Sequence, residues 1–309
     1  MNKKLAIVIP VYNDWISLNI LLQKIELCLP NENFHNSYSI IIINDASLIE
    51  YTKSNKINYD NIHILTLRNN LGHQRAIACG LCFIRENILC DNIIVMDSDG
   101  EDNPEDIEKL FKFSILENQI IFAKRAKRQE NLLFKIFYKL YKSVFKILTG
   151  KVINFGNFSS VPFSFLDKLV YNENLWNNYA ATILRANIPY KSLPTIRGKR
   201  YDGKSKMTLS ALFIHGFSAI SVYMDLMAIR IIIFSFSTIS ISIFMILIVV
   251  LIKIFTKQAI PGWASFTTLI LLNLLFQALM ISFLMLFIFL SKRTAKNIIP
   301  INEYKFYLS

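Results

Sequence analysis

Two uninterrupted apolar stretches constrain this chain more than any other feature. Residues 231–252 run 22 positions without a charge, and residues 264–290 run another 27. At about 1.5 Å per residue, a helix of either length crosses a hydrocarbon core of about 30 Å. Apolar residues make up 53% of the 309 and charged residues only 18%, too apolar for a disordered chain or an average soluble enzyme. The sequence predicts a multi-pass protein of the cytoplasmic (inner) membrane. Residues 253–263 are too few for a domain, so the stretches form a hairpin with both ends on one side. Arg230, Lys292, Arg293 and Lys296 flank the outer ends against Lys253 and Lys257 in the loop. That bias puts the preceding part and the C-terminus in the cytoplasm. Neither stretch holds Asp, Glu, Lys, Arg or His, which argues against a proton relay or ion path.

Charge is equally uneven. Residues 1–123 carry 10 basic and 16 acidic groups, residues 124–225 carry 17 and 5, and residues 226–309 carry 7 and 1. An acidic head followed by a basic middle beside membrane spans suggests a head resting on an anionic lipid bilayer. The tie to a bilayer argues against nucleic acid as the partner. Lys3 and Lys4 resemble a signal n-region, but Pro10 breaks the apolar run 5–11 and no cleavage site follows, so a signal peptide is not expected. Cys79 and Cys82 form a lone C-x-x-C; with no second pair, reduced core thiols are the expectation for them and for Cys28 and Cys90.

The first 125 residues alternate strand-like and helix-like segments. Branched runs at 5–11, 39–44, 62–67, 92–96 and 119–123 are separated by helix-compatible stretches at 17–29, 73–87 and 104–117. This predicts an α/β fold with a mostly parallel sheet, helices on both faces, and ligands beyond the carboxyl ends of the strands. In 131–150, Lys135, Lys139, Lys142 and Lys146 share one helical face opposite Phe and Leu. That pattern predicts an amphipathic helix with two readings, one packed on the head with a solvated lysine face and the favoured one lying at a membrane interface; 207–224 is a second candidate.

The sharpest chemical signal is Ile93-Ile94-Val95-Met96-Asp97-Ser98-Asp99-Gly100-Glu101-Asp102. An apolar strand delivers carboxylates at i and i+2, with Glu101 two residues on. Hard oxygen ligands suit Mg²⁺ or Mn²⁺, so Asp97, Asp99 and Glu101 are the candidate metal ligands; the bland alternative is a solvated acidic loop. His73 has two readings, a phosphate contact and, the favoured one, a helix-start contact.

Here the pattern resembles a family, the family 2 glycosyltransferases with a GT-A fold. Within them it resembles the polyisoprenyl-phosphate glycosyltransferases related to dolichol-phosphate mannose synthase, from Ala6 to about residue 229. Val8-Ile9-Pro10-Val11-Tyr12-Asn13-Asp14 resembles the opening strand that receives the nucleotide base, with Asp14 where Glu is usual. Asn44-Asp45-Ala46-Ser47 resembles D-D-x-S, with Asn44 replacing the first acid, so the resemblance leaves Asp45 alone for that contact. The run from Asn70 through Arg75 to Gly80 resembles the next nucleotide-side turn and helix. Asp97 and Asp99 match the D-x-D, with Glu101 where Gln is usual. Ala123-Lys124-Arg125 resembles the segment beside the active site. Arg197, Arg200, Gly203, Ser205 and Lys206 match R-x-x-R-x-x-G-x-S-K, which handles phosphates. Asn157 stands where the family commonly has an Asp facing the acceptor.

The resemblance implies transfer of one sugar from a nucleotide-diphosphate sugar donor to a polyprenyl (undecaprenyl) phosphate acceptor, with catalytic roles for Asp97, Asp99, Asn157 and Arg200. The Q-x-x-R-W motif of processive synthases is absent, and two spans are few for a polymer channel, which favours single transfer. The rival readings are another lipid acceptor, such as a diacylglycerol, and a degenerate non-catalytic membrane partner. A homo-oligomer is left open. Three parts are expected: a GT-A nucleotide-sugar and metal-binding part (1–128), an acceptor-side and membrane-interface part with basic amphipathic helices (129–228), and a transmembrane hairpin with a cytoplasmic tail (229–309).

Overall fold

The computed structural model describes residues 4–29, 38–54, 57–125, 132–151, 155–203, 209–256 and 261–309. Its first elements are β1 (Leu5–Val11), α1 (Trp15–Cys28), β2 (Tyr38–Asn44), β3 (Ile62–Thr66), α2 (His73–Asn87), β4 (Asn92–Val95), α3 (Asp106–Glu117) and β5 (Ile120–Arg125). There follow α4 (Leu132–Thr149), β6 (Ser159–Pro162), α5 (Leu166–Val170), α6 (Tyr179–Arg185), β7 (Tyr190–Thr195), α7 (Leu209–Ser221), α8 (Met224–Phe255), α9 (Trp263–Thr294) and α10 (Pro300–Glu303).

Seven strands form one sheet in the order β3-β2-β1-β4-β6-β5-β7. β1 pairs in parallel with β2 and β4, β2 with β3, and β5 with β7, whereas β6 is antiparallel to β4 and β5. Six strands therefore share one direction. The order reverses between β1 and β4, where such a sheet opens its ligand crevice. β1 is buried at all seven positions, as a strand with both faces covered must be. Alternation turns Ala6, Val8, Ile93 and Val95 toward α2, α5 and α6, and Leu5, Ile7, Ile9 and Ile94 toward α1 and α3.

The chain divides otherwise than the three-part sequence reading. One compact unit holds Met1–Val144, Lys151–Val222 and Asn297–Ser309; the other holds Phe145–Gly150 and Tyr223–Lys296. No boundary falls near residue 128, because β6 inserts between β4 and β5 and β7 extends the same sheet. Residues 297–309 are no free tail either, since Ile301 and Tyr304 are buried in the α2-side core.

In the second unit, α8 and α9 are each 32 residues long with mean hydropathies of 2.7 and 2.4, long and apolar enough to cross a membrane. Ala228, Ser235, Ser242 and Val249 are buried at every seventh position of α8, and Ala264 and Ala278 are buried on α9. Small residues at that spacing let two helices pack closely, while Phe234, Phe244, Phe276 and Phe283 stay exposed. Arg230 caps the last turn of α4, donating to the carbonyls of Ile147 at 2.5 Å and Lys146 at 3.4 Å. Of the expected lysine face, Lys139 and Lys146 are exposed and Lys142 is half-buried. The side chain of Lys135 and most of its apolar partners lie outside the described residues, as does Lys206.

Gly80 marks the closest approach of α2 to the sheet: a Cβ there would lie 2.6 Å from Val8 Cγ1 and 3.2 Å from Ile43 Cγ1. Helix propensity alone would make Gly80→Ala favourable. Overpacking reverses the sign, and the substitution should destabilise the protein by about 1–3 kcal/mol. Chemical denaturation of the purified protein checks it; a gain in stability would mean that α2 shifts freely.

Candidate active site

The acidic motif leaves the sheet where the topology opens it. β4 ends at Val95, beside β1, and the chain turns at once through Asp97–Asp102. The main-chain N–H of Asp97 donates to Asp102 Oδ2 at 3.0 Å, and that of Glu101 donates to Asp99 Oδ1 at 2.9 Å. Gly100 permits the turn with φ +86. Burial and the neighbouring Asp97, with Glu101 behind it, push the Asp99 carboxyl up to about 6 despite the Glu101 N–H and Arg200. So much negative charge in one place calls for a cation.

The cations present are side chains of the segment after β7. Arg200 bridges two strand ends, Nη1 standing 3.2 Å from Asp99 Oδ2 and Nη2 2.8 Å from Asp14 Oδ2. Arg197 Nη2 lies 2.5 Å from Glu101 Oε1. Backbone contacts fasten this strap to the acidic turn: Gly198 N–H donates to Glu101 O at 2.9 Å, and Tyr201 N–H donates to Asp99 O at 3.0 Å. A Cβ on Gly198 would lie 2.2 Å from Gly100 O, and one on Gly100 would lie 2.5 Å from the Tyr201 ring. On the other side, His73 Nε2 stands 3.1 Å from Asp97 Oδ1 and 3.0 Å from Asn157 Nδ2. Desolvation lowers the His73 pKa, but Asp97, Asp102 and Asp99 together hold it above its usual value. Asn157 Oδ1 accepts from Gln74 Nε2 at 3.3 Å, and Gln74 Oε1 accepts from the Tyr179 N–H at 2.7 Å.

The structure thus brings Asp14, Asp97, Asp99, Glu101, Asn157, Arg197 and Arg200 into one crevice. Pro10 is buried in β1, while Tyr12 is exposed just beyond it and Arg75 is exposed on the first turn of α2. The Arg125 backbone ends β5, and its side chain lies outside the described residues. Asp45, expected to meet a nucleotide, accepts from the N–H groups of Leu71 at 2.7 Å and Gly72 at 2.9 Å. Burial raises its pKa against those two bonds and His73; its present work is to hold the turn before α2. Asn44 likewise has a local task, its Oδ1 accepting from Ser47 N–H at 2.9 Å. Gln74 and Gly198 join the site without a role assigned to either from the sequence, and His73 meets Asp97 and Asn157 there rather than serving only as a helix start. A Gly flanked by basic residues between two family arginines was the only available signal for Gly198.

The acidic donor set suits a divalent ion in chemistry and charge. In this arrangement, however, no group of three or more His, Cys, Asp or Glu side chains is poised around a common point among the described residues. His73, Arg197 and Arg200 answer the charge instead.

The sequence profile described as Glycosyl transferase family 2 matches residues 6–183. The chain belongs to that family. It is 23% identical over 288 residues to YkcC, an uncharacterised glycosyltransferase of Bacillus subtilis (strain 168), covering 89% of this chain and 84% of that one. It is 28% identical over 157 residues to an undecaprenyl-phosphate 4-deoxy-4-formamido-L-arabinose transferase of Photorhabdus laumondii, a match spanning 48% of this chain and 45% of the relative. Among solved structures it resembles glucosyl-3-phosphoglycerate synthase of Mycobacterium tuberculosis in complex with Mn²⁺, UDP and phosphoglyceric acid. There the TM-score is 0.53 at 9% identity, over 73% of this chain and 79% of that one. The fold of this family 2 glycosyltransferase is accordingly the α/β GT-A fold.

Gly198→Ala tests the strap directly, because the added methyl has no room against Gly100 O. Trypsin should then cut at Arg197, Lys199 or Arg200 at least about threefold faster, as expected of local release without global unfolding. An unchanged cleavage rate would mean that the strap is not held by this contact.

Proposed function

We propose that the protein moves one sugar from a nucleotide-diphosphate sugar to a polyprenyl phosphate at a membrane surface. The observation that carries the reading is the crevice between β1 and β4, where acidic Asp97, Asp99 and Glu101 face Arg197 and Arg200. A donor diphosphate and an acceptor phosphate both need basic partners, and a guanidinium matches phosphate oxygens in pairs. The relative named as an undecaprenyl-phosphate transferase and the two apolar helices support a lipid-linked acceptor.

In the transfer, an acceptor phosphate oxygen attacks the anomeric carbon, and the bond from that carbon to the donor diphosphate breaks. The nucleoside diphosphate leaves with the electron pair. The attacking oxygen is already anionic at pH 7, so no proton has to be removed. That fits Asn157, whose amide cannot serve as a base but can donate to an anionic oxygen. Asp97 and Asp99 would hold Mg²⁺ or Mn²⁺, with Glu101 beside them; when bound, the ion stabilises negative charge on the leaving diphosphate. Arg197 and Arg200, leaving their carboxylate partners, neutralise phosphate. The two helices are read as a membrane hairpin with the sheet unit and the C-terminus on the cytoplasmic face.

Membranes containing the protein, incubated with radiolabelled nucleotide-sugars and undecaprenyl phosphate, should form one labelled lipid. Asp99→Asn should lower that transfer by about 10²–10³-fold, the usual effect of removing one preorganised group that answers transition-state charge, while the protein still folds. Near-normal turnover at saturating Mg²⁺ and Mn²⁺ would remove Asp99 from the mechanism. Asn157→Ala should raise the apparent KM for the lipid phosphate about tenfold, as loss of one charge-assisted hydrogen bond does, and leave the donor KM in place. Unchanged kinetics for both substrates would reduce Asn157 to a turn residue.

A further inference from the structure

The donor side of the crevice is held from an unexpected direction. β3 is the outer strand of the sheet and is only half-buried, and Arg68, Asn69 and Asn70 beyond it are exposed. Such an edge has unpaired main-chain groups and little packing of its own. Residues 307–309 pair with its carboxyl end. Leu308 forms an antiparallel bridge with Leu67. Arg68 N–H donates to Tyr307 O at 2.8 Å and Arg68 Nε to Leu308 O at 2.7 Å. Ser309 N–H and Oγ both donate to Thr66 O, at 2.9 and 3.1 Å.

The same segment is anchored on α2. Tyr304 is buried, its hydroxyl donates to Glu86, and Lys305 Nζ lies 2.7 Å from Glu86 Oε2. The Tyr307 ring meets Trp176 edge-on at 5.7 Å. The clasped stretch leads directly into the site. Leu67 N–H donates to Asn44 O at 2.9 Å, Leu71 and Gly72 N–H donate to Asp45, and His73 then touches Asp97. Between the clasp at 66–68 and the bonds at 71–72, Asn69 and Asn70 are exposed.

We propose that residues 297–309 are a positioning element of the donor site, with Tyr304 as the anchor. By pinning the end of β3 and α2 together, the segment fixes the 70–72 turn from which α2 and His73 approach the acidic motif. The donor-site role rests on the nucleotide-sugar reading above; the mechanical role does not.

The test uses the full chain in detergent or nanodiscs, comparing Tyr304→Ala with Tyr304→Phe, which keeps the ring and loses only the hydroxyl. Amide hydrogen exchange at 67–72 should rise about tenfold in Tyr304→Ala, while the amides of β4 keep their protection. The apparent donor KM should rise about tenfold with kcat and acceptor KM nearly unchanged. Tyr304→Phe should recover most of both effects. The proposal is overturned by unchanged exchange at 67–72, by equal loss of protection in β4, or by a fall in kcat at constant donor KM. Absence of transfer by the unmodified protein would refute the polyprenyl-phosphate reading, and the exchange comparison would then decide this one alone.

Discussion

Mutual repulsion among carboxylates at the end of β4 is the constraint around which the site is arranged. Asp97, Asp99 and Glu101 are gathered where solvent is partly excluded, and burial together with Asp97 and Glu101 raises the cost of ionising Asp99. Counter-charge has to come from elsewhere in the chain, and Arg197 and Arg200 supply it, while a histidine meets Asp97 from the other side. His73 arrives on the first turn of α2, and Arg197 and Arg200 arrive on the strap that follows β7. Because Arg200 also reaches Asp14 at the end of β1, one guanidinium ties together the two strands whose adjacency opens the crevice. The groups that answer the charge in this arrangement are those that a phosphate-bearing ligand would engage.

The strap works through backbone as much as through charge. Gly198 lies so close to Gly100 O that no side chain fits, and Tyr201 covers the face of Gly100. A partly buried ion pair gives up hydration to form, so it is weak support by itself. Two main-chain hydrogen bonds and a sealed glycine contact give these arginines a defined place from which to act.

Much of this was legible in the sequence. The Ile- and Val-rich runs of β1, β2 and β4 are pure enough to be read as buried parallel strands, and the acidic motif announces itself at the end of one of them. β6 and β7 were not legible. Ser-Ser-Val-Pro and Tyr-Lys-Ser-Leu-Pro-Thr have weak strand character, and they become strands because neighbours supply pairing. The tertiary tasks of single polar residues were hidden for a related reason. Asp45 reads as a ligand contact, and nothing local says that it also accepts from the N–H groups of Leu71 and Gly72. His73 reads as a helix start, and nothing local says that Asp97 waits across the crevice. The segment 297–309 is mostly apolar and aromatic with two charges, Glu303 and Lys305, but it has no strand or helix period, and its fit to α2 exists only once the sheet is built.

That segment also fixes an order of events during synthesis. α8 and α9 lie between Val222 and Asn297 in sequence, while the residues on either side belong to one compact unit. The hairpin is therefore an insertion in the sheet unit rather than an appendage to it. Chains fold from the amino end as they emerge, so β1 to β7 can assemble early, with the outer edge at β3 still bare. Tyr304 and Leu308 leave the ribosome only after both apolar helices have done so. Residues 307–309 then pair with the end of β3, and the sheet unit is completed only after both apolar helices have been made.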